Sequence, residues 1–251
     1  MANFVLVHGA WHGAWCWQRV LPLLTRAGHR AHAVTLSGVG EHARYLSPNI
    51  NLDTHIADVL AMIEAEELTD IVLVGHSYGG VVITGVADRL LAAQKTNPSS
   101  ALITRATVAR MVFVDAVLPL PGESWSSTQS PDTVKARVES AKAHPQQGIA
   151  VPPASGFGLS GADADWVNRR QTPQPLGCYL QPLQFDLNAV RQLPRHYIDC
   201  NSPASPGIAP SRIRVRDSQF WGGGWQLTEL ATGHDAMVTE PERLSELIIV
   251  A

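Results

Sequence analysis

Short apolar runs alternate with helical spacings along this chain. Six runs read as strands: Phe4–His8, Arg30–Thr35, Ile71–Val74, Met111–Asp115, Arg195–Cys200 and Trp225–Leu230. Between them, Ile56, Val59, Leu60 and Ile63 follow the i, i+3, i+4, i+7 spacing of one helix face, with Asp53 or Thr54 as its cap. Glu64-Ala65-Glu66-Glu67 then forms the solvated end of that helix. Thr239-Glu240-Pro241-Glu242 reads as a capping box opening a last helix, with Leu244, Leu247 and Ile248 facing inward. This alternation predicts an α/β fold: a mostly parallel sheet of about six strands with helices on both faces.

One segment breaks the rhythm. From Pro119 to Pro194 the chain is rich in Pro, Gly, Ser and Gln, with Trp125, Phe157, Trp166 and Tyr179 scattered through it. Cys178-Tyr179-Leu180 and the trio Leu183, Phe185 and Leu187 make it too apolar for a disordered excursion. A segment that long inside one domain is expected to be a lid over a site. The expected organisation is therefore a core of residues 1–118 and 195–251 carrying an inserted cap, 119–194.

Composition narrows the partners. At 251 residues and 45% hydrophobic content the chain can bury one large core. A net charge of -3 without any Lys/Arg cluster argues against nucleic acid or an anionic membrane as partner. No apolar stretch approaches the length of a membrane span. Met1-Ala2-Asn3 leads straight into the first strand, with no charged leader or cleavage site. Cys16, Cys178 and Cys200 are an odd number without metal-like spacing, so reduced, buried thiols in a cytoplasmic protein are expected. A homodimer is one assembly that the sequence leaves open.

The chemistry concentrates at Gly75-His76-Ser77-Tyr78-Gly79, directly behind the run Ile71–Val74. A strand ending in G-x-S-x-G and continuing into small residues, here Gly80 to Gly85, is the pattern of a nucleophile elbow. The amides at the start of the following helix favour negative charge beside Ser77. A serine needs a base. Of ten histidines, His234 is placed best, after the strand Trp225–Leu230 and before the last helix, at the same sheet edge as the elbow. His8 and His76 occupy packed turns and are expected to hold hydrogen bonds. An oxyanion would meet the Tyr78 amide and a second amide from the loop His8–Gly13, for which Ala10 is the choice. Nothing in this chemistry asks for a cofactor or a metal.

The strings Val5–Trp15, Val74–Gly80 and Gly233–Met237 resemble the α/β-hydrolase superfamily. Within it the chain is similar to bacterial esterases of the EstC type, to pyrethroid-hydrolysing carboxylesterases and to the plant methylesterase/hydroxynitrile lyase group. The resemblance covers nearly all of the chain except the cap. It implies an α/β-hydrolase fold and a cofactor-free carboxylic-ester hydrolase in which Ser77, an acid and His234 act together, with Ala10 and Tyr78 as oxyanion donors. The lyases of that group carry threonine at the place of Gly9 and lysine directly after the histidine. This chain has Gly9 and Asp235, which favours hydrolysis.

The acid departs from the family pattern. Relatives carry it after the penultimate strand, where this chain reads Asn201-Ser202-Pro203. Three replacements stand: Asp115, Asp199 and Asp217. Asp115 ends the strand after the elbow, where a carboxylate can reach the same histidine, and some haloalkane dehalogenases resemble it there. A carboxylate buried at a strand end costs several kcal/mol unless paired, so a merely structural Asp115 is less comfortable. Asp199 lies within a strand, and Asp217 has a surface ion pair as its plain reading. The expected activity is hydrolysis of small apolar or aryl esters through an acyl-enzyme, in a pocket lined by Trp11, Trp125 and Trp166. Trp15 and Trp17 lie nearby in sequence. Carbon–carbon cleavage, by cyanohydrin lysis or diketone hydrolysis, and non-catalytic ligand binding are the alternatives.

Overall fold

The computed structural model describes residues 1–96 and 105–250; residues 97–104 and 251, parts of the expected core segments, lie outside the described residues. Six strands form one parallel sheet: β1 (Asn3–Val7), β2 (Arg30–Val34), β3 (Ile71–His76), β4 (Val108–Val114), β5 (Arg195–Cys200) and β6 (Trp225–Leu230). Their spatial order is β2-β1-β3-β4-β5-β6.

The central strands are apolar throughout because both faces are covered. Along β3, Ile71 and Leu73 enter one core cluster while Val72 and Val74 enter the other. The first cluster takes Ile56, Val59 and Ile63 of α2 (Leu52–Ala65) and Val82, Ile83 and Val86 of α3 (Gly79–Thr96). The second takes Leu24 of α1 (Leu21–Arg26) and Leu244, Leu247 and Ile248 of the last helix, Pro241–Val250. Period-2 strands facing period-3.6 helices on each side make the three-layer architecture.

Two helix starts differ from expectation. The cap of α2 is Asn51, not Asp53 or Thr54: its side chain accepts from the Thr54 amide at 3.1 Å, and the Asn51 amide donates to the Thr54 hydroxyl at 3.3 Å. The buried Leu52 is the first helical residue, so Asp53 and Thr54 fall inside the first turn. Thr239 ends a short preceding helix, Ala236–Thr239, and its hydroxyl pairs with Thr232 Oγ1 at 2.6 Å instead of capping the last helix.

Residues 119–194 contribute nothing to the main sheet. They form the helices Pro131–Lys142, Gly161–Asn168, Leu176–Leu180 and Leu187–Val190, with a two-residue antiparallel ribbon pairing Gly148–Ile149 and Gln174–Pro175. The segment grips the loop after β1. Thr172 donates to the Trp11 carbonyl, Gln174 Oε1 accepts from the Trp11 amide, both at 3.0 Å, and the Trp11 indole donates to the Ile149 carbonyl at 3.3 Å. Among the described residues no helix is long and apolar enough to cross a membrane. Cys16, Cys178 and Cys200 are buried and unpaired.

The β3–α3 turn leaves no room for side chains on either side of Ser77. A Cβ on Gly75 would stand 2.6 Å from the Gly79 carbonyl oxygen, and one on Gly79 would stand 2.6 Å from the Val7 carbonyl oxygen of β1. Neither obstacle is a flexible side chain, so the backbone itself has to move. Gly79→Ala is therefore expected to destabilise the protein by about 1–3 kcal/mol, read as a lower urea midpoint with an unchanged slope.

Candidate active site

Backbone bonds fix the strand ends around the elbow. The Ser77 amide donates to the Val114 carbonyl at 3.2 Å, the Asp115 amide to the Ile198 carbonyl at 2.8 Å, and the Val117 amide to the Ser77 carbonyl at 2.9 Å. Ser77, Asp115 and Trp11 all have positive φ, at 53°, 41° and 64°. Strained backbone of this kind concentrates where function demands a particular side-chain direction.

Three side chains meet as a result. Ser77 Oγ lies 2.9 Å from His234 Nε2, and His234 Nδ1 lies 2.6 Å from Asp115 Oδ2. With Asp115 ionised, His234 donates from Nδ1 and its Nε2 is free to accept the serine proton. His234 is held through its backbone: its amide donates to the Phe157 carbonyl at 2.9 Å, and its carbonyl accepts from His76 Nε2 at 3.0 Å. Asp115 is fully buried, and its second oxygen accepts from Arg212 Nη2 at 2.6 Å. Burial works against the Arg212 charge, but Asp115 and Asp199 together raise its pKa.

The other two acids stand elsewhere. Asp199 is engaged by Arg212 Nε and by Arg216 at 2.7 Å. Asp217 caps the short helix Ser218–Trp221, accepting from the Gln219 amide at 2.9 Å. Asn201 and Ser202 follow β5 with no carboxylate in the place the family pattern gives it.

The loop after β1 abuts Ser77, since a Cβ on Gly9 would stand 2.8 Å from the Ser77 Cβ. Neither the Ala10 nor the Tyr78 amide donates to another described residue. The Tyr78 phenol is turned away and lies 3.1 Å from His55 Nδ1. His55 Nε2 donates to the Ser37 carbonyl, which leaves Nδ1 to accept, and burial lowers the His55 pKa to about 4. His8 is neutral in the same manner. Its Nδ1 donates to the Gly9 carbonyl and its Nε2 accepts from the Leu36 amide, and burial holds its pKa at about 3.

Trp11, Trp125 and Phe157 line the cavity that reaches Ser77 and His234, together with Gln129, Arg137 and Ile208. Trp166 is not among them. It lies in the helix Gly161–Asn168, edge-on to Trp15 at 5.1 Å, with Arg19 and Arg170 over its ring. Its partners belong to the opposite core cluster, which draws it away from Ser77.

Residues 4–247 match the alpha/beta hydrolase family. The chain belongs to that family. It is 42% identical to the carbendazim hydrolyzing esterase of Nocardioides sp. (strain SG-4G), over 98% of both chains. It is 35% identical to an alpha-hydroxynitrile lyase of Arabidopsis thaliana, over 47% of this chain and 40% of that one. Among solved structures, the fold is shared with an extracellular alpha/beta-hydrolase from a Paenibacillus species at a TM-score of 0.82 and 24% identity, covering 100% and 99% of the two chains. It is also shared with the pyrethroid hydrolase PytH, at a TM-score of 0.75 and 21% identity, covering 100% and 96%.

Behind His234 this hydrolase buries an ion pair that sequence reasoning did not single out. His12 Nε2 lies 3.0 Å from Asp235 Oδ2, and His12 Nδ1 lies 2.7 Å from the Ala10 carbonyl. Both ring nitrogens face acceptors, so both donate and His12 is an imidazolium. Burial alone would lower the His12 pKa, but the Asp235 carboxylate raises it. Burial alone would raise the Asp235 pKa, but His12 and, behind it, His76 and His234 bring it down to about 2. His76, by contrast, is kept neutral by burial and by the neighbouring His234.

His76, His234 and Asp235 offer atoms within 4.8 Å of one another, the separation of a metal-ligand set. His234 has both nitrogens engaged by Ser77 and Asp115, and Asp235 is engaged by His12. A cation there would have to break the Ser77–His234–Asp115 chain.

The ion pair sets a pH window for stability. Asp235 contributes above its unfolded pKa of about 4, and this is lost as pH falls through about 2. His12 contributes fully below its unfolded pKa of about 6.5, and this is lost as pH rises through its elevated folded value. Asp235→Asn is expected to cost about 3 kcal/mol near pH 6, as for one broken partner of a buried pair. It should also flatten the alkaline decline that His12 produces. Urea unfolding across pH measures both.

Proposed function

We propose that this hydrolase is a serine carboxylesterase acting on small apolar or aryl esters. The reading rests chiefly on the continuous hydrogen-bond chain from Ser77 Oγ through His234 to Asp115. Ser77 attacks the ester carbonyl carbon as His234 Nε2 takes the hydroxyl proton, and the Asp115 carboxylate stabilises the resulting imidazolium without taking its proton. The free amides of Ala10 and Tyr78 receive the carbonyl oxygen as it becomes negative. His234 then protonates the departing alkoxide, which leaves an acyl group on Ser77. Water delivers a proton to His234 and attacks that acyl group, releasing the acid and restoring Ser77–H. Trp11, Trp125 and Phe157 hold the apolar or aryl part.

Cyanohydrin lysis is disfavoured on two observations. A Cβ on Gly9 would meet His76 Nδ1 and Ser77 Cβ, each at 2.8 Å, so a threonine there has no room. The residue after His234 is Asp235, buried on His12, which supplies no ammonium to departing cyanide. The buried, unpaired thiols suit a reducing, cytoplasmic setting.

A fluorophosphonate is expected to label wild-type protein and not Ser77→Ala. Asp115→Asn should lower kcat on para-nitrophenyl acetate by about 10³–10⁴-fold, while Asp199→Asn remains within about tenfold of wild type. Near-full turnover by Asp115→Asn with loss in Asp199→Asn would reverse the assignment of the acid.

A further inference from the structure

Among the described residues, most arginines around the site are paired with carboxylates. Arg212 pairs with Asp115 and Asp199, Arg214 with Glu123, and Arg216 with Asp199 and Glu229. His12 pairs with Asp235. Arg137, on the helix Pro131–Lys142, has no carboxylate within ion-pair distance among the described residues. Its guanidinium carbon instead lies 5.1 Å from the Trp11 ring, 4.8 Å from Trp125 and 5.1 Å from Tyr179. Its Nη1 is shut off from solvent and has no hydrogen-bond partner.

The same residue lines the cavity that contains Ser77 and His234. Cation–π attraction to these three rings holds the guanidinium in place. A guanidinium's N–H groups lie in one plane and match the two oxygens of a carboxylate. Burial lowers the Arg137 pKa, an effect that Tyr179 only partly offsets. A carboxylate arriving with the substrate where Arg137 lines the cavity would balance its charge.

We propose that Arg137 is a specificity-determining residue that receives a carboxylate borne on the aryl part of the substrate. The favoured substrates are then aryl esters carrying a free carboxylate, with the ring between Trp11, Trp125 and Phe157 and the scissile carbonyl at Ser77. This substrate class rests on the esterase reading, although recognition of the carboxylate by Arg137 does not require turnover.

The test compares para-acetoxybenzoate with para-acetoxybenzamide, which differ in charge but hardly in shape. Wild-type kcat/KM is expected to favour the carboxylate by about tenfold or more. Arg137→Met should bring that ratio to about one, mainly through KM, and Arg137→Lys should restore part of it as a point charge. In parallel, calorimetry on the wild-type protein and both variants compares binding of para-hydroxybenzoate and para-hydroxybenzamide. A carboxylate preference in binding that Arg137→Met removes supports the proposal even if neither ester is hydrolysed, which would count against the esterase reading alone. Equal binding of the two compounds by wild type, or a preference that survives in Arg137→Met, overturns it.

Discussion

The site depends on a carboxylate with both oxygens paired at the end of β4, where it is fully buried. Asp115 is fully buried, and leaving its carboxylate unpaired there would cost several kcal/mol. Two donors prevent that: Arg212 Nη2 on one oxygen and His234 Nδ1 on the other. Arg212 is itself fixed by Asp199 and by the carbonyls of Cys200 and Ser205. The guanidinium thus ties the end of β5, the loop after it and the helix Ala209–Arg216 to the strand end that carries Asp115. Without Arg212, Asp115 would lose one donor and Asp199 would lose a partner in the same step. That coupling explains how the proposed acid can stand after β4 while Asn201 and Ser202 occupy the turn after β5.

The remaining histidines around Ser77 are held in single protonation states, three by burial and one by a facing carboxylate. His8, His55 and His76 are buried and neutral, each donating to a carbonyl that shapes a loop. His12 is the exception, charged because Asp235 faces it, and its second nitrogen holds the Ala10 carbonyl. The residue after the proposed base therefore braces the loop that carries a proposed oxyanion amide. Low local dielectric makes each of these bonds more consequential than its surface counterpart.

Much of this was legible in the chain. The apolar runs identified all six strands to within a few residues, because strands covered on both faces have little freedom to be polar. Ser77 and His234 were legible because G-x-S-x-G and a late histidine after a strand occupy positions that topology places at one sheet edge. The partners of the acid were less so. Arg212 gave no signal in the chain, since its ties to Asp115 and Asp199 span 97 and 13 residues. Arg137 was invisible because a helix rich in polar residues gives no sign of which one turns toward aromatic rings. Trp166 read as a pocket residue from its place in the inserted segment, but composition cannot say which core cluster a tryptophan joins. Asn51 was passed over as a cap because the apolar spacing was counted from Ile56, while the helix opens with the buried Leu52.

The central claim is that an ester is opened by covalent transfer of its acyl group to Ser77. Rapid mixing with para-nitrophenyl pivalate, whose hindered acyl group slows hydrolysis of the intermediate, followed by acid quench and peptide mass analysis, tests this most directly. The account predicts one pivaloyl group, carried on Ser77 and appearing with the first equivalent of nitrophenol. Turnover that leaves Ser77 unmodified, or an acyl group on any other residue, would contradict it.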